Sequence, residues 1–308
     1  VCSSDLVEFL LARMYLNAEV YTGTPRYTDC ITYCKYILGS NDYSLADNYT
    51  ELFMADNGEN SNARKEIIFP VLADGNTTQS YGIGAIIVGS RSSSEGTVVN
   101  YGCNGGWDGF RSTGNLIRAF EYEAEESAWT ADNLNSHDNR AIFYSTGRSL
   151  DIKTSSIGTF TTEGWSVFKF TNLNSDGTPG KNSVFPDTDF PLFRLADVYL
   201  MKAECLIRTG GNNAEATRLV NAVRERAYGN SNHNYASVDL EKIALERKFE
   251  LAWECHARQD NIRFGTFQNA RWLKSETKGK DYMNIFPISQ DAWQTNQNLK
   301  QNPGYPAF

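Results

Sequence analysis

Apolar residues recur at helical spacing at both ends of the chain. Residues 7–21 carry Phe9, Leu10, Ala12, Met14, Tyr15, Leu16, Ala18 and Val20, a pattern that predicts a helix. Gly23, Thr24 and Pro25 break it, and a second helix is predicted over 27–38, ended by Gly39. Far downstream, helices predicted over 191–208 and 214–227 are joined by Gly210, Gly211 and Asn212. A further helix is predicted over 239–256, where the acidic first turn of Asp239 and Glu241 suits the helix dipole. A short helix is expected within 289–300.

The first helices of the two hairpins resemble each other. Leu11-Ala12 and Tyr15-Leu16 can be set against Leu195-Ala196 and Tyr199-Leu200. Small residues beside large ones let paired helices nest, as in tetratricopeptide-type repeats, although the copies stand far beyond the ~34-residue tandem period. The reading is a mainly α protein of tetratricopeptide-like helical hairpins, an α-α superhelix, with a long loop-rich excursion containing short strands.

That excursion is residues 57–190, rich in Gly, Asn, Ser and Thr. Short apolar runs predict strands at 66–72, 83–88, 141–144 and 165–170, and a helix is expected near 115–121. Long loops inside a domain are usually functional or disordered, and the Trp and Tyr residues spread along these argue for order.

Composition narrows the classes of function. The chain has 308 residues, 29 Lys plus Arg and 37 Asp plus Glu, a net charge of −8. No basic run offsets this, so nucleic acid and anionic membrane surfaces are not expected partners. No apolar run reaches the roughly 18 residues of a transmembrane helix. Three histidines leave little room for His-based catalysis. Aromatic residues make up 13%. Exposed rings beside Asn and Asp suit sugar binding, because apolar sugar faces stack on rings while hydroxyls bond amides and carboxylates.

One segment concentrates this chemistry. Tyr81 lies upstream, and Asn104-Gly105-Gly106-Trp107-Asp108-Gly109-Phe110-Arg111 places a Trp among glycines. Glycine allows positive-φ backbone and close approach of a ligand. Asn104, Asp108 and Arg111 would supply hydrogen-bonding groups beside the ring. The segment also reads as a structural turn with a core-plugging Trp. It is not a phosphate loop, since no Lys follows the glycines.

Other clusters read as structural. The six cysteines include no CxxC pair; Cys30 and Cys34 share a helix face, and all are expected to be buried free thiols rather than a zinc site. Glu121, Glu123, Glu125 and Glu126 read as a solvated helix end. His256, Arg258 and Asp260 are expected in an ion-pair network. The acidic stretch 132–138 could hold calcium but lacks EF-hand spacing; no metal ligand is assigned and no cofactor is expected. No pair of carboxylates stands out for glycoside hydrolysis.

Three stretches carry a resemblance to the SusD/RagB family of nutrient-uptake lipoproteins. Residues 193–204, FRLADVYLMKAE, are similar to the family's FRxADVYLMxAE helix. Residues 246–254, ERKFELAWE, and 258–265, RQDNIRFG, resemble its ERxxELxxEGxR and DLxRxG element. Phe286-Pro287-Ile288 with Asn302-Pro303-Gly304-Tyr305 looks like its terminal PIP and QNPGY ending. Cys255 stands where the family often has Gly, Ala257 where Arg is common, and Asn261 where Leu is usual.

The resemblance implies a single domain over 7–308: a helical hairpin (7–56), a glycan-binding excursion (57–190) and a C-terminal helical part with its tail (191–308). Residues 1–6 resemble a translated sequencing-adapter scar and are expected to be non-native. The rest looks like the C-terminal three-fifths of a family member, so the signal peptide, the lipid-anchor cysteine and the first repeats are expected upstream. Cys2 is not expected to bear the lipid. The resemblance further implies non-catalytic glycan binding at the outer-membrane surface and delivery to a SusC-like TonB-dependent transporter. The GGWxGxR loop looks like the starch-binding branch, which makes Tyr81 and Trp107 ring platforms and Asn104, Asp108 and Arg111 hydroxyl contacts. The rival readings are a binder of a different glycan in the same family, a helical glycoside hydrolase and a protein-binding repeat scaffold.

Overall fold

Helix pairing begins at the first described residues. In the computed structural model α1 (Ser3–Leu16) and α2 (Ala18–Thr22) lead, through left-handed Gly23, into α3 (Tyr27–Gly39). The model describes residues 3–92, 101–107, 109–120, 122–153, 157–272 and 274–308. The chain divides into two units, Val1–Cys255 and His256–Phe308.

Within the first unit, α3 packs on α1 and also on α8 (Leu195–Arg208), which in turn packs on α9 (Asn213–Tyr228). The two hairpins are therefore neighbours in space, and the excursion is inserted between them. Two of the matched pairs agree in burial, with Ala12, Leu16, Ala196 and Leu200 all inside, whereas Leu195 is buried and Leu11 only half-buried. Cys30, Cys34 and Cys205 fill the same seam with Phe9, Val198 and Met201. α9 starts at Asn212, whose side chain accepts from the Glu215 N–H, and α10 (Leu240–Glu250) starts at Asp239, which accepts from the Lys242 N–H. Short polar side chains satisfy helix N-termini in this way.

The excursion is made of brief elements: α4 (Ser61–Arg64), β1 (Ile67–Val71), α5 (Gly84–Gly89), α6 (Gly114–Ile117), α7 (Ala131–His137), β2 (Phe143–Tyr144), β3 (Ser166–Val167) and β4 (Phe190–Arg194). β1 pairs antiparallel with β4 (Ile67 opposite Arg194), and β2 with β3. Ile68 and Phe193 carry the first sheet into the helical core.

Three expectations are corrected. Residues 83–88 are predicted as a strand but form helix α5: Ile83 and Gly84, then Ile87 and Val88, are buried, a spacing of four. Short apolar runs do not distinguish the two states. Residues 191–194, predicted as helix, are strand, because β1 offers them a pairing partner. The helix predicted to 256 ends at Glu250, where Tyr49 Oη and Arg194 Nη2 donate to the Glu250 carbonyl at 2.8 and 2.7 Å, and Lys169 Nζ donates to the Ala252 carbonyl at 2.7 Å.

These carbonyls belong to a buried charge network. Arg194 pairs with Glu66, Glu250 and Glu254; Arg140 with Asp138, Glu246 and Glu250; Arg224 with Glu246; and Arg226 with Glu66 and Glu250. Asp197 of α8 is gripped by Arg13 of α1 at 2.8 Å and Arg247 of α10 at 2.7 Å. Burial alone would push the Glu250 carboxyl up; Arg226, Arg194 and Arg140 instead hold it well below the usual carboxylate range. Burial lowers the Lys169 ammonium to about 8 despite its pair with Glu254.

The second unit holds α11 (Ala257–Arg263) and α12 (Gln290–Thr295). Here Asp260 pairs with Arg263 at 2.7 Å, while Arg258 donates to the carbonyls of Met283 and Asn284. Gln301 exchanges two hydrogen bonds with the Ile288 backbone, and Tyr305 Oη donates to the Ile285 carbonyl. Gly304, at φ 90, sits where a Cβ would lie 2.4 Å from the Tyr282 ring. The terminal motif is a folding device of this unit.

Candidate functional site: exposed rings around a short helix

The cluster of Tyr49, Phe53, Ile83, Ile87, Val88, Tyr101, Cys103 and Phe170 forms a floor under α5. Burial pushes the Cys103 thiol up to about 11 and keeps it an inert core group. Four of the six cysteines are buried; Cys255 is exposed, contrary to expectation, and Cys2 lies outside the described residues.

The Trp107 loop is pinned over this floor through its backbone. Asn172 Nδ2 donates to the Gly102 carbonyl at 2.9 Å, Tyr101 Oη donates to the Gly105 carbonyl, and the Asn104 N–H donates to the Ser183 carbonyl at 2.8 Å. The Trp107 N–H then donates to the Val88 carbonyl at 2.9 Å, and the N–H groups of Gly109 and Phe110 both donate to Gly89. Gly106 is required by this closeness, since a Cβ there would lie 2.6 Å from the Arg91 carbonyl oxygen. Its lack of a side chain serves backbone packing, not the ligand approach expected from the sequence.

Held by its backbone, the Trp107 side chain stays 58% exposed and does not plug the core. Tyr81 is 56% exposed and leans on Phe185, ring centroids 5.1 Å apart. Tyr81 precedes α5, and Trp107 hangs from the end of α5. Seven residues at helical rise put their anchor points roughly 10 Å apart. Ser183 and Phe185 connect the two sides: Asn104 Nδ2 donates to Ser183 Oγ at 2.7 Å, two residues from the Phe185 ring beneath Tyr81.

The polar residues divide. Asn104 is exposed on the Trp107 loop. Arg111 is engaged by its neighbours: its Nη1 donates to Thr159 Oγ1 at 3.2 Å and the Glu163 carbonyl at 3.0 Å, and burial lowers its guanidinium from the ordinary value. Asp108 lies outside the described residues, as does Glu121; Glu126 of the acidic run pairs with Arg118 at 2.8 Å. Sequence reasoning missed Ser183, Phe185 and the half-exposed Phe110. Only the Phe next to the Trp motif carried any local signal.

Paired helices with an inserted, backbone-pinned loop define the class as a mainly α, helical-hairpin scaffold. The profile of the SusD family matches residues 7–305, and the chain belongs to that family. It is 34% identical to the starch-binding protein SusD of Bacteroides thetaiotaomicron, over 96% of this chain and 59% of that protein. The chain thus spans about three-fifths of that relative's length. A SusD superfamily protein from Parabacteroides distasonis superposes with a TM-score of 0.69 at 21% identity, covering 98% of this chain and 63% of that one. A laminarin-binding SusD-like protein gives a TM-score of 0.66 at 22% identity, covering 98% and 62%. At these identities the two structures show the shared fold, a mainly helical one.

Proposed function

We propose that the chain captures a starch-like glycan without catalysis, with Tyr81 and Trp107 as ring platforms at the two ends of α5. The observation that carries this reading is their exposure on a scaffold tied down through backbone hydrogen bonds. A preformed surface loses little freedom on binding, so more of the stacking energy appears as affinity. The 34% identity to a protein named for starch binding supports the choice of an α-glucan. Asn104 contributes a hydroxyl contact, and Asp108 is assigned to another from the sequence alone. Arg111 supports the loop from behind.

The non-catalytic part of the proposal has its own support. Glycoside hydrolysis needs a pair of carboxyl groups at the scissile bond. The buried carboxylates Glu66, Glu246, Glu250 and Glu254 are instead each engaged by guanidinium or ammonium groups. Family membership supports two finer points of the proposal, a lipid-anchored position at the outer-membrane surface and hand-over to a SusC-like TonB-dependent transporter.

Native affinity electrophoresis with and without starch tests the reading. The expected result is retardation of the parent that disappears in Trp107→Ala. A folded parent that migrates unretarded overturns the starch assignment.

A further inference from the structure

We propose that Phe110 is an additional glycan platform beside Trp107, seated on Gly89, which extends the site to a longer sugar chain. The proposal rests on the glycan reading of Tyr81 and Trp107 given above. Exposure alone would not support it, because single exposed apolar residues are ordinary. The seat does.

The Phe110 ring lies against the Gly89 backbone. A Cβ built on Gly89 would meet Phe110 Cδ2 at 2.7 Å and Cε2 at 2.8 Å, so only glycine admits the ring at this position. The Phe110 N–H donates to the Gly89 carbonyl at 2.6 Å, which fixes the residue on the same peptide its ring covers. On a second side stands Trp253, centroids 6.1 Å away and inclined at 58°. The ring nonetheless remains 46% exposed.

Trp253 is itself held in place. Its backbone is left-handed, φ 65, between Ala252, whose carbonyl accepts from buried Lys169, and Glu254, which pairs with Lys169 and Arg194. Phe110 is thus backed by the charge network through one intervening ring. Trp107 and Phe110 hang from consecutive carbonyls, Val88 and Gly89. Three residues of chain keep their backbones within about 10 Å. Rings whose backbones are anchored that close suit neighbouring units of one oligosaccharide, with Tyr81 before the other end of α5.

The test is titration of maltotriose and maltoheptaose into the parent, Phe110→Leu, Phe110→Tyr and Trp107→Ala, with melting temperatures recorded for each. Leucine keeps an apolar side chain on Gly89 but removes the ring face. The expected result is unchanged maltotriose affinity and about fivefold weaker maltoheptaose binding in Phe110→Leu, on the scale of one lost ring contact. Phe110→Tyr keeps the parent's affinity for both, and Trp107→Ala weakens both sugars. If Phe110→Leu binds both sugars as the parent does, the additional platform is overturned while the glycan reading stands. A folded parent that binds neither sugar overturns both.

Discussion

Arg194 and Glu254, 60 residues apart in the chain, form a two-pronged ion pair, Nε to Oε2 at 2.7 Å and Nη2 to Oε1 at 2.8 Å, with both side chains 1% exposed. Arg194 comes from the FRLADV stretch and Glu254 from the ERKFELAWE stretch. The residues that make the family recognisable are therefore core electrostatics. A buried charge that has lost its partner is strongly destabilising, which makes substitution at either end costly.

Arg194→Met leaves Glu66, Glu250 and Glu254 facing one another with fewer cations. Loss of one member of a buried pair typically costs about 3–5 kcal/mol. The variant is expected to unfold at markedly lower denaturant, checked by urea titration followed by tryptophan fluorescence.

The network also sets an acid limit. The Glu250 carboxyl is held below its unfolded value by the three arginines, against the effect of burial. The folded state therefore binds fewer protons than the unfolded one at acid pH, and stability falls as pH falls. The contribution is fully present above the unfolded pKa and is lost progressively below about pH 4.5, where an unfolded Glu takes up its proton. Melting temperature against pH is expected to drop in this window, and Glu250→Gln, already less stable at pH 7, is expected to show a shallower drop.

Cys255 has φ 66, a left-handed conformation that glycine adopts at no steric cost. A side chain there costs about 1 kcal/mol or more. Cys255→Gly is expected to raise stability by about 1 kcal/mol in urea unfolding, with starch retardation unchanged.

Asn172 is buried and holds three strands of loop: Nδ2 donates to the carbonyls of Gly102 and Asn182, and Oδ1 accepts from the Asp187 N–H. Asn172→Ala leaves those backbone groups unpaired at a cost of about 1–3 kcal/mol. It is expected to weaken glycan retardation by loosening the Trp107 loop against the 182–187 segment.

Arg111→Ala separates two readings of one residue. With its guanidinium on Thr159 and the Glu163 carbonyl, the substitution is expected to lower the melting temperature and to affect starch retardation much less than Trp107→Ala. Equal loss of retardation in the two variants at equal melting temperature would place Arg111 on the sugar.

Local pattern was enough for the paired helices and for the 67–71 strand. Long amphipathic runs have one low-energy partner geometry, and Gly23 and Gly210 punctuate them without help from elsewhere. It also picked out Tyr81 and Trp107, because a Trp set among glycines departs from the usual core context. Tertiary contacts decided the remainder. The 83–88 run is short and apolar enough for either state, and burial of one face, at positions four residues apart, made it a helix. Arg111 found its partners some 50 residues downstream, at Thr159 and Glu163. Phe110 gained its seat from a glycine that is adjacent only after α5 forms. Charges such as Glu250 carry no local sign of burial, because only packing brings Arg140, Arg194 and Arg226 around them.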